Sequence, residues 1–245
     1  MMNDTTRRNI ELGLAYCGPA FILGYIIFWA IMGHNIPPPN MMGMTAEQLV
    51  SEYYGKYPEI RVGMIVSAVV GLIYLPWSCL LASMLKDKQG NYTALSFMEL
   101  TGGTLTAFVL ALCPAIWAAC AFMVGEVDAG VIKMVHMFTW FIYDCTCMIT
   151  TIQLTGLGLY VIFNRDQQIF PAWTGWSAIG TGLVFVPLSL LPFVSEGPFK
   201  LPGLWNFFVV YTTWLFAFFG VFSFYILKHL HGTNTRDARG TPALV

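Results

Sequence analysis

Asp144 stands near the middle of an apolar stretch, MVHMFTWFIYDCTCMITTIQ at 134–153. An ionisable side chain at a bilayer centre costs about 2.5–3.5 kcal/mol on insertion scales, so such residues usually turn into a bundle and find a partner. There an aspartate can anchor a polar group, act as a general acid or carry a proton. His136 precedes it by eight residues, about 12 Å along a helix, so the two cannot touch within one helix. His136 is a candidate shuttle toward the outer face. The partner of Asp144 must come from another span at similar depth or be a water, and the hydroxyls of Tyr25, Tyr74, Ser78 and Thr212 qualify. Thr151 shares its stripe seven residues on, and Trp140 and Tyr143 flank it toward His136. The competing reading is an interhelical hydrogen bond that only fastens the bundle, worth about 0.6–2 kcal/mol.

A second constellation gathers toward one face. His34 closes the first span, Glu126 and Asp128 lie in the turn GEVDAG, and Glu196 opens the turn EGPFKLPG. Histidine and carboxylates at one level suit metal binding or acid–base chemistry. The chain lacks H-x-x-x-H, H-E-x-x-H and E-x-x-H spacings, so no metal is assigned, and a solvated loop explains the cluster equally well. Haem needs a second axial ligand facing His136; His229 and His231 fall on the opposite side, and no cofactor is assigned. The deep aromatics Trp77, Trp117 and Trp140, with Tyr25, Tyr74, Tyr143, Thr151 and Thr212, are candidates to wall a cavity for a flat lipophilic molecule. Core packing is the alternative. The six cysteines fall in apolar segments and act as small apolar residues.

These residues must be held by membrane helices. Of 245 residues, 57% are hydrophobic, 16% aromatic and 10% charged, with mean hydropathy +0.65. Soluble domains carry about 25% charged residues. Six apolar stretches, at 12–32, 62–85, 104–124, 134–162, 175–195 and 204–227, each supply the roughly 20 residues that cross about 30 Å of hydrocarbon. Backbone groups must pair internally in lipid, which makes these spans helices and the fold an all-α six-span bundle. One domain, 1–231, is expected, with a flexible tail at 232–245. The first span is too long for a secretory h-region and lacks an A-x-A exit, so it reads as a retained helix.

Eight basic residues (Arg7, Arg8, Lys86, Lys88, Arg165, Lys228, Arg236, Arg239) fall on the side of the termini and four (Lys56, Arg61, Lys133, Lys200) on the other. That bias places both termini in the cytoplasm. The first outer loop carries Pro37, Pro38 and Pro39, then Thr45 and Gln48 at capping-box spacing, which predicts a short amphipathic surface helix with Tyr53, Tyr54 and Tyr57 at the interface. Pro19, Pro76, Pro114 and Pro187 lie inside spans, where they kink helices and open a cavity or are accommodated by neighbours. Net charge −1 and no basic stripe exclude a nucleic-acid partner.

The strings GHNIPPP (33–39), IRVGM (60–64), WAACAF (117–122), FPAWTGW (170–176) and GPF (197–199) give the chain a resemblance to a family of small bacterial polytopic inner-membrane proteins. The resemblance implies a bacterial cytoplasmic membrane and this helix count, and supplies no activity. Three functions stay open: binding or processing a lipophilic small molecule near Asp144, with membrane lipid as surroundings; a non-catalytic subunit of a larger complex, or a homo-oligomer; and a small proton-coupled transporter.

Overall fold

The structure is a computed structural model and describes residues 3–164 and 169–237, with side chains through 232. Arg165 and Arg239, used above for orientation, lie outside the described residues. So does the 238–245 part of the expected tail; 232–237 belong to the last helix, which continues to Asp237.

Six helices are long and apolar enough to cross a membrane, and no strand occurs among the described residues. The first span is α1 (Asp4–Met32). A short helix, α2, begins at Ala46–Gln48 and winds on through Leu49–Tyr54 on the side opposite the termini. The next spans are α3 (Ile60–Met84) and α4 (Ala94–Phe122). The fourth span is two helices, α5 (Ala129–Cys145) and α6 (Met148–Phe163). The fifth is α7 (Ala172–Phe193) and the sixth α8 (Trp205–Gly232).

Helix starts follow caps rather than the onset of apolar sequence. Asn3 accepts from Thr6 N at 2.7 Å and starts α1. Thr93 and Ser96 form a reciprocal capping box that starts α4, and the side chain of Asp128 accepts from Gly130 N to start α5. Each satisfies amide groups that have no partner in the first turn. α4 therefore begins ten residues before the 104 expected from hydropathy, which brings Glu99 inside a span.

Polar groups face inward and apolar ones outward. On α3, Val62, Ile65, Val69 and Leu72 are exposed, while Ser67, Tyr74 and Ser78 are buried. That spacing is one stripe of an α-helix. α3 packs most extensively on α4, and α6 on α7. The α6–α7 crossing brings backbones together: a Cβ on Gly158 would stand 2.7 Å from Gly175 O, and one on Gly175 would stand 2.8 Å from Gly158 O. Small residues allow such close approach, where van der Waals packing drives helix association.

α2 has the expected capping box of Thr45 and Gln48. Its tyrosines do not lie at an interface, however. Tyr53 and Tyr54 are buried: Tyr53 donates to Gly33 O at 2.6 Å and Tyr54 meets His136 Nδ1 at 2.6 Å. The helix stoppers the end of the bundle opposite the termini.

Two irregularities shape the interior. The fourth span breaks at Thr146 and Cys147, with no proline nearby. Thr146 Oγ1 donates to Ile142 O at 2.7 Å, a back-bond that bends helices. The last 8 residues of α1 (Tyr25–Met32) and most of the first half of α8 (Trp205–Val210, Thr213–Gly220) are π-helical. Such winding is rare and often marks functional sites. Pro19, Pro76 and Pro114 lie within helical runs, and Pro187 opens the 3₁₀ end of α7.

Candidate functional site

Asp144 is 2% exposed and sits in the last turn of α5, just before the break. Its carboxyl group turns inward. Asn206 Nδ2 donates to Oδ2 at 2.9 Å, and the Tyr211 hydroxyl donates to Oδ1 at 3.0 Å. Both donors come from α8. Asn206 Nδ2 also donates to Leu201 O at 2.8 Å. With acceptors on both sides, the amide must present nitrogen there, which leaves its buried Oδ1 without a partner. No cation pairs with Asp144 among the described residues.

The partner of Asp144 is thus a hydroxyl from another span, as expected, but not one of those anticipated. Thr212 is exposed, one residue from Tyr211. Tyr25 bonds Tyr143 at 3.0 Å, Tyr74 bonds Gln153 at 2.7 Å and Ser78 bonds Glu99 at 2.9 Å. Depth fixes the level of a residue and not its facing: Tyr211 and Thr212 are neighbours, and Tyr211 is the one turned toward Asp144. Asn206 begins α8 at the level of Asp144, so depth counted from a common outer plane misses it.

Beside Asp144 lies a cavity of about 40 Å³, walled in part by Thr106, Tyr143, Thr146, Thr150, Tyr211 and Trp214. Thr106 and Thr150 share a hydrogen bond of 2.9 Å. This volume admits roughly two or three waters and no lipid-sized ligand. A larger apolar groove, about 240 Å³, lies between α1 and α8. These helices pack together toward their terminal ends, and across the groove Trp29 meets Tyr211 at 5.0 Å between ring centroids. Tyr25, Trp29 and Ala30 form one wall and Phe207, Tyr211 and Trp214 the other; Ile31, Phe208 and Phe216 are exposed at the rim. Tyr211 and Trp214 border both spaces. The groove and the Asp144 cavity are therefore separated by a wall one side chain thick.

Of the aromatic and hydroxyl residues anticipated for a cavity, Tyr143 borders the Asp144 cavity, and Tyr25 and Thr212 border the groove. Trp77 and Trp117 are core residues: Trp77 packs on Phe218 and Phe219, and Trp117 on Trp140 at 4.4 Å between ring centroids. Thr151 donates to Gly182 O at 3.1 Å, tying α6 to α7.

His136 does not approach Asp144. Trp140 Nε1 donates to its Nε2 at 3.1 Å. An indole can only donate, so Nε2 is the unprotonated nitrogen and Nδ1–H donates to the Tyr54 hydroxyl. His136 is a neutral, satisfied ring that locks α2 onto α5.

The outer cluster is not brought together either. His34 Nε2 meets Glu59 Oε1 at 2.7 Å and its ring stacks on Tyr57 at 3.7 Å. Its hydrogen bond, followed by backbone donation, holds the Glu59 carboxyl below the usual carboxylate range. Asp128 is spent as a cap, and Glu126 and Glu196 are exposed. Among the described residues no group of three or more His, Cys, Asp or Glu could hold a metal ion.

A second buried carboxyl escaped the sequence reading. Glu99 of α4 is fully buried; its Oε1 accepts from Ser78 Oγ at 2.9 Å and from Gln153 Nε2 at 3.0 Å, while Oε2 has no partner. Tyr74 donates to the other end of Gln153 at 2.7 Å. Gly103 makes the cluster possible, because a Cβ there would overlap Ser78 Oγ and stand 2.9 Å from Gln153 Nε2. The available signal was Thr93 and Ser96 at capping spacing, which starts α4 early enough to enclose Glu99.

No family model, curated protein or solved structure matches this chain.

Proposed function

We propose that this polytopic membrane protein takes a lipophilic molecule from the bilayer into the α1–α8 groove, with Tyr211 relaying contact to Asp144. The observation that carries the reading is the shared wall. Tyr211 borders the apolar groove and at the same time donates to the one carboxyl beside it. Ligand sites combine mostly apolar lining with a few convergent polar groups, and the groove opens where lipid would lie. Its volume suits an acyl or prenyl chain rather than a whole lipid. Swinging the Tyr211 hydroxyl from Asp144 to a ligand would expose the carboxyl as acid or anchor. The charge bias supports cytoplasmic termini, which reporter fusions at the C-terminus test.

The test is purification in mild detergent followed by mass spectrometry of retained lipids. Ala30→Phe fills the groove without touching Asp144. Wild-type protein should retain a lipophilic species that Ala30→Phe loses while melting normally. Equal recovery from both would refute the groove as the site.

A further inference from the structure

Glu99 is a costly thing to bury. Its helix could have carried leucine there at no penalty in lipid, yet the site is built for a carboxyl, with Gly103 cleared so that Ser78 and Gln153 can reach Oε1. Oε2 is buried and unpartnered. Neither lysine, arginine nor histidine pairs with it among the described residues. The protonatable groups facing it are Tyr74 and Cys79 of α3; α6 presents the neutral Gln153. Asp144 is alike in lacking a cation, with Tyr211 of α8, Cys113 of α4 and Tyr143, Cys145 and Cys147 of its own span around it.

These two carboxyls are not isolated from each other. Gln153, which holds Glu99, lies nine residues beyond Asp144 on the fourth span, about 14 Å along the axis. Thr150 sits one turn from Gln153 and bonds Thr106, and both threonines border the cavity that contains Asp144. That cavity has the volume and polar lining for about two or three waters. One end of the row approaches a surface. A pocket of about 140 Å³ on the side of the termini is bordered by Cys79, next in sequence to Ser78, and by Ser96, one turn from Glu99. At the other end, Asn206 joins Asp144 to the carbonyl of the buried Leu201, in the turn that leads into α8.

We propose that Glu99 and Asp144 are two stations of a proton path between the two faces of the bundle, carried on the seam between α3, α4, α6 and α8. A proton arriving at one station is taken up as that group's own proton passes on through hydroxyls and water. Each transfer leaves the chain as it was and needs only a proton gradient. Buried carboxyls, hydroxyls and water in a row are the usual elements of intramembrane proton relays. The proposal is independent of the groove and its ligand.

The full-length protein is reconstituted into phosphatidylcholine–phosphatidylglycerol vesicles that contain a pH-sensitive dye. A potassium gradient with valinomycin drives proton entry. Wild-type protein should acidify the lumen faster than protein-free vesicles do. Glu99→Gln, which keeps shape and the acceptor for Ser78, should fall to the protein-free rate. Wild-type vesicles no faster than protein-free ones, or a Glu99→Gln rate equal to wild type, overturns the proposal. Should Glu99→Gln fail to fold, Thr150→Val decides: it keeps the side-chain shape and removes the middle of the row. Slower acidification is the expected result and unchanged flux the contrary one.

Discussion

Replacing Asp144 with asparagine changes one atom and rearranges three hydrogen bonds. In the native site, Asn206 Nδ2 donates to both Asp144 and Leu201 O, and Tyr211 donates to the other carboxyl oxygen. Place the new amide oxygen toward Tyr211, and its nitrogen faces Asn206 Nδ2, donor against donor. Asn206 can then flip to offer its free Oδ1, at the cost of its bond to Leu201 O. Place the new nitrogen toward Tyr211 instead, and the tyrosine must accept, which strands its own proton. The first arrangement loses one bond of the three and the second leaves one hydroxyl proton without its acceptor, a cost of about 0.6–1.7 kcal/mol in membrane bundles. At about 2–4 °C per kcal/mol for a chain of this size, Asp144→Asn should lower the melting temperature in detergent by a few degrees. A carboxylate held charged and unpaired would predict the opposite sign, because asparagine would relieve a burial cost of about 2.5–3.5 kcal/mol. Melting monitored by circular dichroism at neutral pH separates the two. Marked stabilisation of Asp144→Asn would refute the hydrogen-bonded account of the site.

Gly103→Ala should destabilise by about 1–3 kcal/mol, the usual cost of forcing extra volume into a packed interior, even though alanine is the better helix former by about 1 kcal/mol; a higher melting temperature would contradict the packing of Ser78 and Gln153 against this glycine. The half-buried pair of His34 and Glu59 predicts a pH effect. Glu59 is held below its unfolded value in the folded chain, so its stabilisation is present above the ordinary carboxylate range and is lost as pH falls through the folded value. Melting temperature against pH should therefore be flatter in Glu59→Gln than in wild type across the acidic range, and identical profiles would remove the pair from the account.

Much of the architecture was legible because the bilayer sets hard limits. Length and apolarity alone located six spans, and the cost of burying a carboxyl sufficed to turn Asp144 inward. Thr212 was named by depth alone, and depth does not say which side of α8 turns inward; its neighbour Tyr211 is the one that faces Asp144. Glu99 was overlooked because hydropathy rises only after it, whereas the helix starts at the Thr93 cap. His34, Glu126, Asp128 and Glu196 share a side in sequence but no site, since each is taken by a neighbour or by solvent. Side-chain type also misled at His136, whose ring is occupied by Trp140 and Tyr54 rather than kept for chemistry.

The most direct test is the infrared carboxyl band of Asp144, identified as the signal lost in Asp144→Asn. If Tyr211 donates to this group, the band should shift in Tyr211→Phe and stay in place in Thr212→Val. A band that ignores Tyr211→Phe, or answers only to Thr212→Val, would show that Asp144 does not face α8 in the way described.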